Sequence, residues 1–311
     1  MKKTALIFAL ALGPAATVSA PSFAADPYFA IISKGFQHQF WQAVKAGAEE
    51  AAERNGVTIT FEAPETETMI DKQIDMLNAA IAKQPQGLGF AALDSQAEVP
   101  LLKKAHEAGI PIVAFDSGVD SDLPLATCST DNLKAAAAAG EKMAEAIGKS
   151  GEIGMLVHDQ TSQTGIQRRD GFKNEIESKY PDIQIVDIQY GGDPLVATES
   201  AKAMLAAHPD IKGIFASNEG SAIGLLQAAR EAKSKVIVIG FDSGKQQKAA
   251  IADGSEYGAI TQNPVGIGQC VVDSLAKVIK GEKLEKVIDT GFYWYDKSNL
   301  TDAKVAAVLY D

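Results

Sequence analysis

From Tyr28 onward, short β-branched or apolar runs alternate with longer amphipathic ones, and that alternation leaves few folds open. Tyr28–Ser33, Thr58–Ala63, Gly87–Leu93 and Ile110–Phe115 read as strands. Between them, Phe40–Arg54, Met69–Lys83 and Val99–Ala108 carry apolar residues at helical spacing. Asn55-Gly56 and Ala108-Gly109 supply helix stops, the second followed by Pro111. Repeated βα units predict a parallel sheet with helices on both faces. The pattern then starts over. Strands are expected at Ile153–His158, Ile183–Gln189, Gly213–Ser217, Val236–Phe241 and Tyr257–Thr261. Helices are expected at Leu133–Ile147, Gln163–Lys179, Leu195–Ala207, Ser221–Ala232, Gln246–Ala252 and Val265–Lys280. Val236–Gly240 is continuously apolar, as a central parallel strand buried on both faces requires. Two consecutive doubly wound α/β sheets fit the 311 residues.

The first residues have a separate task. Lys2 and Lys3 precede an apolar run from Ala5 to Leu12, and small residues follow up to Ala25. That layout is a cleaved secretory signal, too short to span a bilayer, with the cut expected after Ala24. No cysteine lies near the cut, so no lipid anchor is expected and the mature chain runs free outside the cytoplasm. Loss of residues 1–24 removes two lysines and no acid, so the formal charge of -11 becomes more negative still. Such a surface disfavours phosphate backbones and anionic lipid, which argues against nucleic acid or direct membrane insertion. The two cysteines, Cys128 and Cys270, lie outside any metal-ligand spacing. They read as two separate buried thiols, with pairing open in an oxidising compartment.

In open α/β sheets, ligands sit beyond the carboxyl ends of the strands. The first strand is followed by Lys34-Gly35-Phe36-Gln37-His38-Gln39-Phe40-Trp41, the third by Asp94-Ser95 and the fourth by Asp116-Ser117. In the second half come His158-Asp159, Gly191-Gly192-Asp193, Asn218-Glu219, Asp242-Ser243 and Gln262-Asn263. One Asp after a strand is ordinarily a helix cap. Carboxylates and amides at so many strand ends of two sheets suit a polyol, because each holds adjacent hydroxyls in bidentate fashion. Phe40 and Trp41 are candidates to lie against the C–H face of a sugar ring, core packing being the alternative.

These residues carry a resemblance. Phe40-Trp41-Gln42-Ala43-Val44-Lys45-Ala46-Gly47-Ala48 resembles the first-helix signature of ribose-type periplasmic binding proteins, and Ile110–Asp116 their fourth-strand element. Arg168-Arg169-Asp170-Gly171-Phe172 is similar to their Arg-x-x-Gly-Phe motif. Ala207-His208-Pro209-Asp210, Phe215-Ala216-Ser217-Asn218 and Ile239-Gly240-Phe241-Asp242 follow in the family's order. The resemblance implies two lobes joined by three crossings near residues 130, 262 and 290: residues 25–130 plus 263–289, and residues 131–262 plus 290–311. It implies a monomeric, cofactor-free periplasmic component of an ATP-binding cassette importer, which closes on a sugar and delivers it to a membrane permease. By the same resemblance Phe40 and Trp41 are the ring-stacking pair, and Asp116, Arg168, Asn218, Asp242 and Gln262 bind hydroxyls. His38 occupies a polar, ligand-facing place.

Two departures bear on the solute. Ser117 follows Asp116 where pentose binders of this type often have arginine, and an aromatic of the second lobe is replaced by something small around Gly192. Both changes are expected to alter or widen the pocket, and Lys34 and Glu219 add opposite charges near it. A neutral hexose or polyol is the first expectation, an amine-bearing sugar the second. Rival functions find less support. There is no His-Glu-x-x-His, Cys-x-x-Cys or Gly-x-Ser-x-Gly, so no enzyme or metal site is expected. A signal peptide stands where a repressor of this fold would carry its helix-turn-helix. Presenting the solute to a chemoreceptor or sensor kinase is compatible with transport.

Overall fold

The computed structural model describes residues 26–311, so the expected signal sequence at 1–24 lies outside the described residues. The chain begins with β1 (Tyr28–Ile32), α1 (Gln39–Asn55), β2 (Thr58–Glu62), α2 (Ile70–Ala82), β3 (Gly87–Phe90), α3 (Val99–Glu107), β4 (Ile112–Phe115) and β5 (Ala126–Ser129). It then builds α4 (Asn132–Ile147), β6 (Gly151–Val157), α5 (Gln163–Lys179), β7 (Ile183–Tyr190), α6 (Pro194–Ala207), β8 (Gly213–Ala216), α7 (Glu219–Glu231), β9 (Ile237–Phe241), α8 (Lys245–Asp253) and β10 (Gly258–Gln262). The last part holds α9 (Pro264–Ile279), β11 (Val287–Asp289), β12 (Phe292–Asp296) and α10 (Ala303–Ala306).

Two six-stranded sheets result, ordered β11-β5-β4-β3-β1-β2 and β12-β10-β9-β8-β6-β7. We call the first the amino lobe and the second the carboxy lobe. The chain passes between them after β5, after β10 and after β11. The expected α/β class with two doubly wound lobes therefore holds. One detail differs: β12 runs antiparallel to β10, so the second sheet is mixed. It follows β11 of the other sheet after only Thr290 and Gly291.

Each sheet is sandwiched between buried apolar clusters, Phe29/Ile31/Val113/Phe115 on one face of the amino lobe and Ala30/Ile32/Leu88/Phe90 on the other. Successive residues of one strand thus feed opposite faces, which is the period-2 alternation of a strand covered on both sides. Helix α9, late in sequence, returns to the amino lobe and packs tightly on α1. Their close approach needs Gly47 and Gly268, where a Cβ would run into the backbone of Val265 and Val44 respectively. No described helix is long and apolar enough to cross a membrane.

The expectation of two separate thiols is overturned. Cys128 of β5 and Cys270 of α9 form a disulfide, with Cα atoms 6.0 Å apart across a sequence separation of 142. Once α9 returns to cover β5 the two side chains are neighbours in the same core, a proximity that spacing along the chain does not reveal.

Candidate functional site

The carboxyl ends of both sheets face a common cleft, and in this closed arrangement only a narrow gap of about 20 Å³ remains between the lining side chains. The amino lobe lines it with Lys34, His38, Phe40, Trp41, Glu67 and Asp116. The carboxy lobe contributes His158, Thr164, Arg168, Asn218, Asp242 and Gln262.

Of the expected site residues, nine meet there: Lys34, His38, Phe40, Trp41, Asp116, Arg168, Asn218, Asp242 and Gln262. Two do not. Ser117 is fully buried away from the cavity, its hydroxyl without a partner. Glu219 opens α7 beside the cavity and turns to the other lobe, accepting from the backbone N–H of Gln39 and Phe40. Reading the residue after each strand locates a position but not the direction its side chain takes. Glu67 and Thr164 were missed because they stand several residues beyond β2 and β6, although the strand-end rule extends to those loops. His158, a strand-end residue, also lines the space.

Asp116 and Asp242 each occupy the left-handed backbone region, φ 55° and 78°, which Asp tolerates better than most residues. Asp242 is held within its own lobe: it accepts from Gln262 Nε2 at 2.7 Å and from the Glu219 N–H at 3.0 Å. Arg168 approaches its carboxylate at 3.9 Å. Asp116 is only 5% exposed, and its side chain has no hydrogen bond among the described residues. Burial raises its pKa to about 6, against the lowering pull of Lys34 and Arg168. Gln262 Oε1 and His38 Nε2 are likewise buried without partners. These unpaired atoms are mostly acceptors, and a hydroxyl-rich molecule brings the missing donors.

Arg168 is fixed on three sides. Its Nε donates to Asn132 Oδ1 at 2.8 Å and one terminal nitrogen to the Ser217 carbonyl at 2.9 Å. Its guanidinium lies 3.8 Å from the ring centre of Phe241. His158 is held between Ser217 Oγ at 2.7 Å and Thr164 Oγ1 at 3.2 Å. Burial pushes its pKa below the ordinary imidazole value, against the raising pull of Asp159. Gly192 stands behind the cavity wall, where an added Cβ would lie 3.0 Å from the His158 carbonyl oxygen and 3.4 Å from Asn218 Nδ2.

Phe40 and Trp41 meet edge to face, ring centres 5.0 Å apart and planes at 83°. They cannot both lie flat on one ring face. Trp41 is 1% exposed and its indole N–H donates to Glu67 Oε1 at 2.6 Å, while its ring also meets Phe115 edge-on. It serves the core as well as the cavity wall. Among the described residues, no group of three or more His, Cys, Asp and Glu has a metal-binding arrangement.

Comparison with known proteins adds to this geometry. The family model described as "Periplasmic binding protein domain" matches residues 29–283. The ribose import binding protein of Escherichia coli is 28% identical, over 92% of this chain and 95% of its own length. A solute-binding protein of an ABC transporter from Agrobacterium vitis, solved with D-fucose bound, superposes with TM-score 0.88 at 33% identity, covering 91% of this chain and all of that one. A second from the same species, bound with alpha-D-tagatopyranose, gives TM-score 0.89 at 30% identity, covering 92% of this chain and 100% of its own. This chain belongs to the periplasmic binding protein domain family.

Proposed function

We propose that the protein is the periplasmic sugar-binding component of an ABC importer, taking one monosaccharide or polyol between its lobes and presenting it to a membrane permease. The observation that carries this reading is a single cavity lined in equal parts by two sheets, with buried acceptors that lack partners. A solute touching both lobes binds the closed form better than the open one and shifts that equilibrium by its differential affinity. A near-complete switch takes about 10⁴-fold discrimination, roughly 5.5 kcal/mol. Several hydrogen bonds to charged groups, at about 1.5–3 kcal/mol each, are enough to supply it. The mature protein acts as a periplasmic monomer without cofactor and releases its solute chemically unchanged.

The proposed ligand contacts are Asp116, His38, Arg168, Asn218 and Gln262, with Phe40 as the apolar wall and Asp242 as the organiser of its neighbours. A second reading, an amine-bearing sugar, is favoured by one observation: Asp116 is a buried carboxylate with no protein partner. A thermal-shift screen of protein unfolded and refolded to remove bound solute tests both. D-Ribose, D-fucose, D-tagatose and D-glucosamine are the probes, and a ligand raises Tm by mass action. A rise with a neutral sugar supports the first reading and a rise with glucosamine alone the second. No rise across an extended sugar and polyol panel contradicts both.

A further inference from the structure

Lys34 and Glu219 are buried, oppositely charged, and reach across the cleft in opposite directions. We propose that they form a reciprocal clasp, two positioning residues that stabilise the closed form without relying on the solute. The proposal rests on closure of the two lobes and not on which sugar is bound.

Lys34 follows β1 in the amino lobe. Its Nζ donates to Thr164 Oγ1 at 3.2 Å and Ser162 Oγ at 3.5 Å in the carboxy lobe, with the Asp159 carboxylate of that lobe and the Glu67 carboxylate of its own lobe each 3.9 Å away. Glu219 reaches the other way. One carboxylate oxygen accepts from the N–H of Gln39 at 3.4 Å, the other from the N–H of Phe40 at 3.3 Å and the Tyr310 hydroxyl at 3.4 Å. Gln39 answers through its side chain, Oε1 accepting the Lys245 N–H at 2.8 Å.

The place Glu219 reaches is the first turn of α1. A helix start leaves backbone N–H groups without partners and favours negative charge. Helix α1 has no acid in its first turn, and His38, at its cap position, makes no side-chain capping bond. Glu219 therefore caps a helix of the opposite lobe, while its own helix is capped by Asn218 and Ser221. Room for the contact depends on Gly244, where a Cβ would stand 2.5 Å from Glu219 Oε1 and 3.0 Å from Gln39 Oε1.

Closing the lobes supplies the cap, and opening them removes it. Apparent affinity scales with the fraction of protein in the binding-competent form. A clasp that raises the closed fraction strengthens every solute by one common factor and leaves selectivity to the residues that touch the solute.

The test uses the full mature chain, unfolded and refolded free of solute, with spin labels at exposed Lys72 and Gln227 on the two lobes. Interlobe distances are measured in wild type, Glu219→Gln, Glu219→Ala and Lys34→Met, each checked for folding by circular dichroism. The Gln variant decides if the others fail to fold. The expected result is a closed population in the solute-free wild type and a closed-to-open ratio lowered about tenfold or more in Glu219→Gln. Titration of Glu219→Gln, whose side chain stands outside the cavity lining, with D-ribose, D-fucose and D-tagatose is expected to show the same loss factor for each sugar that binds. A wild type with no closed population, an unchanged ratio, or a loss that reorders the sugars overturns the clasp, the last making Glu219 a solute contact. If none of these sugars binds wild type, the sugar reading is weakened while the distance ratio still decides the clasp.

Discussion

The two lobes carry the same turn at corresponding strand ends, Phe115-Asp116-Ser117-Gly118 after β4 and Phe241-Asp242-Ser243-Gly244 after β9. Both aspartates take the left-handed conformation, and both donate their N–H to the adjacent strand, Asp116 to the Cys128 carbonyl at 2.8 Å and Asp242 to that of Ile260 at 2.6 Å. Their side chains part company. In the carboxy lobe, Gln262, the Glu219 N–H and Arg168 surround Asp242. Ser243 is also engaged, its Oγ accepting from Thr261 and its N–H donating to Tyr310. In the amino lobe, the carboxylate of buried Asp116 has no hydrogen-bond partner among the described residues, and the Ser117 hydroxyl is orphaned. Identical local sequence fixes the backbone, and the neighbouring elements decide the surroundings: one aspartate organises its lobe and the other faces the cavity, where we propose that it meets the solute.

The largest effect is expected from what anchors the amino-lobe turn. Asp116 hangs on the Cys128 carbonyl; β5 and the corresponding β10 are each flanked by a late strand, β11 and β12, but only β5 is also tied by a disulfide, Cys128 to Cys270. Replacing both cysteines by serine is expected to cost about 5 kcal/mol in denaturant unfolding, from the loop released by so long a separation. Asp242→Ala is expected to cost about 3–5 kcal/mol in the same measurement, because it strands Arg168 without its carboxylate. Asp116→Asn is expected to do the reverse. Its affinity for the sugar falls about 10- to 100-fold by calorimetry, the worth of one charge-assisted hydrogen bond. Its stability at pH 7.5 is unchanged or about 1 kcal/mol higher: a carboxyl whose folded pKa is raised from 3.8 to about 6 becomes costlier to keep folded as pH rises through that window. Equal stability losses in the two aspartate variants would break the comparison.

The smallest effect is in the pH profile. Hydroxyl donors bind the ionised form of Asp116, so affinity is expected to be flat above pH 6 and to fall below it, approaching tenfold per unit. Asp116→Asn removes that dependence.

Much of this architecture is legible in the sequence because βα periodicity is a local signal, and Val236–Gly240 announces a doubly covered strand by itself. The resemblance implies that the last segment returns to both lobes, but not how it pairs there. The antiparallel sense of β12 and the disulfide are seen only once that segment is in place. At the site, strand ends gave Asp116, Asn218, Asp242 and Gln262 by rule, but gave no account of Glu67, which stands five residues past β2. The same rule placed Glu219 beside the solute, when the start of α1 in the other lobe draws its carboxylate away.

The claim that both lobes grip one molecule is tested most directly by calorimetric titration of the solute-free protein with the sugar that raises Tm, using one substitution per lobe. Asp116→Ala alters the amino lobe, and Asn218→Ser alters the carboxy lobe while keeping a capping oxygen for α7. The account predicts one sugar per chain in wild type and a loss of at least about tenfold for each variant. Full affinity retained in either variant would contradict it.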